Sequence, residues 1–173
     1  MKAKNTQSSA RHRSDQAKNL VSFLVGDVRY AVEIHIVREI VNPLPSVSLP
    51  HAPAEVMGVA DHRGEVLPVI DLRVRFGLPH MEATRRTKWI IVRVAGQHQP
   101  VALIVDGVTD VFGAGHQEQR SVPELGRGSD RRGISQVYSH AGGLVFVVDA
   151  SVIAAAARDI DPSTIPPMLT RGA

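Results

Sequence analysis

The sequence predicts an all-β protein with a few short helices, organised as closed or nearly closed barrels. Three observations carry that prediction. Valine and isoleucine dominate the apolar residues while aromatics make up 4% of the chain, and β-branched side chains suit a pleated, half-buried surface. Roughly eight to ten apolar runs of strand length are separated by glycine, proline and aspartate. The helical segments between them read as only one or two turns each. Closing such a set of short strands into barrels removes exposed edges.

The elements follow in chain order. Leu20 to Val25 is an apolar run ended by Gly26-Asp27, and Arg29 to Ile34 alternates with Tyr30, Val32 and Ile34 on one face. A period of two predicts a half-buried strand, so these runs form a hairpin. From His35 to Val41 the apolar residues Ile36, Val37, Ile40 and Val41 fall at helical spacing, which predicts one or two turns stopped by Pro43. Pro43, Pro45, Pro50 and Pro53 then make an extended connector. Val56 to Ala60 and Val66 to Ile70 are strands about a tight turn at Asp61-His62-Arg63-Gly64, and Pro68 marks an edge or a bulge. Asp71 caps a short helix over Leu72 to Phe76 that Gly77 ends.

Beyond polar Met81 to Thr87, strands are expected at Trp89 to Ala95 and Val101 to Phe112, with a turn at Gly96-Gln97 and a bend at Gly107. Gly113 to Gly133 reads as a long charged loop. Ile134 to Tyr138 and Leu144 to Val148 form a last hairpin, and Asp149 or Ser151 starts a short alanine-rich helix. Residues 1–18 read as a disordered basic tail and residues 161–173 as a proline-containing tail, which leaves 19–160 as the folded part.

Charge is unevenly placed. Lys2, Lys4, Arg11, Arg13 and Lys18 oppose only Asp15 in the tail, a net of about +4 by formal counting. The whole chain carries +3, so the body is nearly neutral and its basicity does not require nucleic acid. With no cysteine, disulfides, thiol catalysis and thiolate zinc sites are excluded. No apolar run approaches the roughly 20 residues that span a bilayer, so the expectation is a soluble, cytoplasmic protein without direct membrane insertion.

Motifs for catalysis are missing. The eight histidines show no metal-ligand spacing; His51 and His62, the nearest pair, lie eleven residues apart. The sequence has no nucleophile elbow, Walker loop or dinucleotide fingerprint. Gly126-Arg127-Gly128-Ser129 sits in a charged loop rather than between a strand and a helix, and Asp61, Glu65 and Asp71 are accounted for by turn formation and capping. The expectation is therefore no enzyme, no metal and no cofactor.

One strongly patterned block remains. Gly58 to Arg73, containing Asp61-His62-Arg63-Gly64 and then Val66-Leu67-Pro68-Val69-Ile70-Asp71-Leu72, resembles the signature of CheW-like domains: a glycine-hydrophobic strand, an Asn-Leu-Arg-Gly turn, then Val/Ile-Leu-Pro-Val-Ile-Asp-Leu. Three further blocks agree in order: Tyr30 to Ile34 with Val37-Arg38-Glu39-Ile40, Val101 to Val111 with Val105-Asp106-Gly107-Val108, and Gly143 to Asp149. The resemblance covers about Leu20 to Ile160. One departure stands inside it: Asp61-His62 replaces the usual Asn-Leu.

The resemblance implies two small five-stranded SH3-like β-barrels packed together, and a non-enzymatic adaptor coupling chemoreceptors to a CheA-type histidine kinase. The implied partners are the regulatory domain of that kinase and the cytoplasmic tip of the receptors, in arrays at the inner membrane. It also implies that the turn arginine, Arg63, is central to coupling, and pairing with Glu39 would shape a docking surface. Val37, Gly58, Gly64, Val69, Asp71, Val105 and Asp106 are the other motif positions expected to serve partner binding. Each has a plainer reading: Arg63 as a surface turn residue, Val37 as core, Gly58 and Gly64 as backbone geometry. Two alternatives stay open. One is a CheW-like adaptor of a non-chemotactic pathway, for surface motility or development. The other is a small nucleic-acid-binding barrel, which needs basic and aromatic residues such as Tyr30, Trp89 and Tyr138 on one face.

Overall fold

A computed structural model of the chain describes residues 19–122, 132–158 and 160. The two expected tails and much of the glycine-rich loop lie outside the described residues. The described strands form two sheets, one of six strands and one of five. β1 (Asn19–Val25) and β2 (Val28–Glu33) make the expected hairpin. After a 3-10 turn at Ile34–Ile36 the chain enters the second sheet with β3 (Val37–Val41), β4 (Val56–His62), β5 (Glu65–Asp71), β6 (Lys88–Val92) and β7 (Val101–Val105). It returns to the first with β8 (Gly107–Gly113), β9 (Glu118–Arg120), β10 (Ile134–His140) and β11 (Gly143–Val148). The orders are β8-β1-β2-β11-β10-β9 and β3-β6-β7-β5-β4. Two pairings are parallel, β2 with β11 and β5 with β7.

The strand period decides where the apolar residues go, since alternate side chains point to opposite faces. In β2, Ala31 joins a core inside the six-stranded sheet with Leu20, Phe112, Val145 and Val147. Its neighbours Tyr30 and Val32 face the other way, into a larger core shared by both sheets. β6 behaves alike: Trp89 and Ile91 line the interior of the five-stranded sheet with Leu67 and Val69, while Ile90 and Val92 join the shared core. Each sheet thus wraps its own core and packs its outer face on the other. Strands buried on both faces read as continuous apolar runs, as Trp89 to Val92 of β6 does. Phe23, Ile70 and Leu103 are fully buried in the shared core, each contributing about 1.5–3 kcal/mol by burial.

Three expectations need correction. Val37–Val41 is a strand, not a helical turn: it pairs with β6, and a register shift between Val37 and Glu39 produces the irregular spacing. Val101 to Phe112 is two strands in different sheets, divided at Asp106. The glycine-rich loop holds a short strand, β9, paired with β10, which accounts for the sixth strand of the first sheet. Pro68 sits at a locally open edge. β5 is interior, but Pro68 lies just outside its three-residue ladder to β7, where its missing N–H does no harm. The β4–β5 register shifts one pair further on, between Val56 and Gly58.

The capping expectations are met. Asp71 accepts hydrogen bonds from the Arg73 and Val74 amides at the start of helix α1 (Leu72–Arg75). Asp149 accepts from Ser151 N at the start of α2 (Ala150–Ala154), which continues into a 3-10 turn at Ala155–Ala157.

Candidate functional site

The β4–β5 hairpin ends in a two-residue turn, with His62 opposite Glu65. Its central residues both have positive φ, 56° at Arg63 and 80° at Gly64. That is the backbone of a hairpin turn whose twist matches the flanking strands. Gly64 adopts it freely. Arg63 does so at a conformational cost, the pattern expected where backbone geometry serves a site. The Asp61 carboxylate accepts the Gly64 amide at 2.9 Å and holds the turn closed.

The turn lies beside β3, although β3 and β4 are the two ends of the five-stranded sheet. Three side-chain contacts join them, and a fourth reaches the hairpin from Arg93, just past the end of β6. Arg63 Nη2 donates to Glu39 Oε1 at 2.8 Å, and His62 Nε2 lies 2.9 Å from Glu39 Oε2. Arg38 Nη1 donates to Glu65 Oε2 at 2.7 Å, and Arg93 Nη2 to Glu65 Oε1 at 3.4 Å. Each carboxylate therefore has one nitrogen partner on each oxygen. The hydrogen bond from His62 is the main reason the Glu39 carboxyl sits below its usual range; partial desolvation opposes it, and the charges of Arg63, His62 and Arg38 reinforce it. Arg63 remains 75% exposed while His62 is 16% exposed. The arrangement offers a cationic, hydrogen-bonding tip on a rigid base.

The six-stranded sheet has a similar contact. His140 at the end of β10 lies 2.8 Å from Asp110 Oδ2 on β8 and stacks on Phe112, with ring centroids 3.9 Å apart. Hydrogen bonds from His140 and from the Val111 amide hold Asp110 below the usual carboxylate range. Both Glu39 and Asp110 thus give up their protons more readily folded than unfolded. Their stabilisation is present above the ordinary carboxylate pKa of about 4 and is lost as pH falls through the lower folded values. Urea midpoints measured from pH 6 downward are expected to fall below about pH 4, and less steeply for Glu39→Gln/Asp110→Asn. Parallel acid limbs would deny these contacts a role.

The remaining motif positions separate by burial. Val69 and Val105, expected at a partner surface, are fully buried core residues, because their strands are interior. Asp71 is also buried, accepting the two helix amides and lying 2.6 Å from His80 Nδ1. Asp106 accepts from Gly26 N and from Arg73 Nη1, both at 2.6 Å. Gly58 lies under the proline-rich connector, where Val47 and Val59 exchange backbone hydrogen bonds. Val37 is half-buried and packs on the shared core. Arg63, Glu39 and Gly64 are therefore the surface members, and the others shape what lies beneath. Sequence reasoning missed His62, Arg38, Glu65 and Arg93, whose role depends on the two ends of a sheet meeting.

Aromatic platforms for nucleic acid do not form from the residues considered: Tyr30, Trp89 and Tyr138 are 4%, 3% and 6% exposed and packed in cores. A cleft of about 390 Å³ runs past Glu33, His35 and Asp149. Its Asp149 is occupied with capping, accepting from Ser151 N and Oγ. Among the described residues no group of three or more histidines and carboxylates is placed to hold a metal ion, and no helix is long and apolar enough to cross a membrane.

A family model described as the CheW-like domain matches residues 19–158. The chain belongs to the CheW-like family. It is 33% identical over 141 residues to the chemotaxis protein CheW of Rhizobium meliloti (strain 1021), covering 82% of this chain and 90% of that one. It is 31% identical over 136 residues to CheW of Bacillus subtilis (strain 168), covering 79% and 86%. The crystal structure of the scaffolding protein TtCheW from Thermoanaerobacter tengcongensis superposes with a TM-score of 0.65 at 26% identity, over 77% of this chain and 89% of that one. The two-sheet architecture is the CheW fold, and the clasp at Arg63 falls inside the matched region.

Proposed function

We propose that the chain is a non-catalytic chemotaxis scaffold that joins chemoreceptors to a CheA-type histidine kinase, and that it docks through the Arg63 turn. The partners are the regulatory domain of the kinase and the cytoplasmic tip of the receptors, which would recruit the protein to arrays at the inner membrane. Membership of the CheW-like family over residues 19–158 supports the scaffold reading. One observation supports the site: a positive-φ arginine, 75% exposed, is clasped to a carboxylate on another strand. Glu39 and Gly64 stand beside it at the surface and half-buried Val37 belongs to the strand that carries Glu39, while Gly58, Val69, Asp71 and Val105 support the sheet beneath and Asp106 ties that sheet to the other.

The test is binding to kinase and receptor fragments from the same organism, measured by calorimetry. Wild-type protein is expected to bind both. Arg63→Ala is expected to lose about 30-fold in affinity for at least one, an interface hot-spot effect of about 2 kcal/mol, with its melting temperature almost unchanged. Unchanged affinity for both would remove Arg63 from the docking surface. Failure of the wild type to bind either would overturn the scaffold proposal.

A further inference from the structure

His62 stands where the family signature has an aliphatic residue, and the structure gives it a specific task. Its imidazole is largely covered and reaches Glu39 Oε2 at 2.9 Å, while Arg63 takes Glu39 Oε1 at 2.8 Å from a side chain that is 75% exposed. The two donors engage different oxygens, so neither needs the other. An aliphatic residue at 62 would leave Glu39 with Arg63 as its one side-chain partner among the described residues, and withdrawing the arginine would strand a half-buried carboxylate, which is unfavourable. With a proton on Nε2, imidazole or imidazolium can donate here.

We propose that His62 is a positioning residue that holds Glu39 on β3 independently of Arg63, freeing the arginine to exchange Glu39 for an acidic group on the docking partner. This rests on the Arg63 turn being the docking surface, and deepens it by naming the chemistry of the partner: a carboxylate-bearing segment. The other charged groups around the clasp do not replace His62. Arg38 and Arg93 are committed to Glu65, and Asp61 is committed to the Gly64 amide. The depressed Glu39 carboxyl, with the His62 hydrogen bond as its leading cause, agrees with this geometry.

The hold on Glu39 is tested without any partner by carbon-detected NMR titration of the Glu39 carboxyl in the full chain. In Arg63→Ala its midpoint is expected to remain below the ordinary glutamate range. In His62→Leu it should rise towards that range, and in His62→Gln, whose amide retains a donor of similar reach, most of the depression should return. A wild-type midpoint in His62→Leu, or an ordinary midpoint in Arg63→Ala, would overturn independent holding. The exchange is tested by binding to the kinase and receptor fragments. His62→Leu is expected to weaken binding at least 3-fold, His62→Gln to restore it, and replacing the partner's contacting carboxylate with its amide to abolish the difference. Equal affinities for wild type, His62→Leu and His62→Gln would overturn the exchange. Wild type binding neither fragment would overturn the exchange and the docking reading together, with the titration still deciding what holds Glu39.

Discussion

Replacing Gly58 by alanine is expected to destabilise the fold by about 4 kcal/mol, lowering the melting temperature by roughly 8–16 °C for a domain of this size. Gly58 has φ of 141°, and a Cβ built there would lie 2.0 Å from Val47 O and 2.6 Å from Val47 C. Both are backbone atoms, so no flexible side chain can give way. The connector would have to lift from β4, breaking the Val47 N to Val59 O and Val59 N to Val47 O hydrogen bonds of 2.8 and 2.9 Å. Backbone strain of about 2 kcal/mol and two hydrogen bonds at about 1 kcal/mol each make up the total. Gly64→Ala is the internal control. It also has positive φ, but nothing lies within 4 Å of its added Cβ, so strain alone, about 1–2 kcal/mol, is expected. Equal losses in urea melts of the two variants would show that the close approach at Gly58 is unimportant.

Gly58 also shows what the sequence could and could not reveal. Its motif position was legible, and so was a backbone role. The reason for it was not, because the oxygen it must avoid belongs to Val47, eleven residues back in the connector. The hairpins were legible for the opposite reason: β1–β2, β4–β5 and β10–β11 join adjacent segments through short turns rich in glycine and aspartate, so local chemistry decides them. Val37–Val41 misled because a bulge breaks the period of two, and Ile40 is left 39% exposed. Nothing local separates that pattern from a helical turn. Arg63 and Glu39 were found through a resemblance, but His62 was not given a role. Its partner is 23 residues away on a strand at the other end of the sheet, and contacts made by curling a sheet leave no periodic trace. Val69 and Val105 look like surface motif residues only until the sheets are stacked, since alternation marks apolar faces without saying whether a core or a partner covers them.

The Asp106→Ala variant is expected to lose about 3 kcal/mol, the lower end for breaking a buried ion pair by removing one partner. Asp106 is the single residue between β7 of one sheet and β8 of the other. Its Oδ2 accepts from Gly26 N in the β1–β2 turn and from Arg73 Nη1 in α1, and its own amide donates to Leu24 O. Asp106 and Arg73 are each 16% exposed, so truncation would leave a largely desolvated guanidinium without its carboxylate. Asp106→Asn keeps an acceptor for Gly26 N and should lose less, about 1–2 kcal/mol. A double-mutant cycle with Arg73→Ala is expected to show coupling of at least 1 kcal/mol, since the two residues touch. Simple additivity would show that the pair does not lock the sheets. The consequence for a scaffold is direct. The Arg63 clasp stands on the five-stranded sheet alone, so any partner gripping the six-stranded sheet is positioned relative to it through the shared core and this tie. Asp106→Ala should therefore increase hydrogen exchange at the Gly26 amide while leaving exchange at the Gly64 amide, inside the β4–β5 turn, almost unchanged.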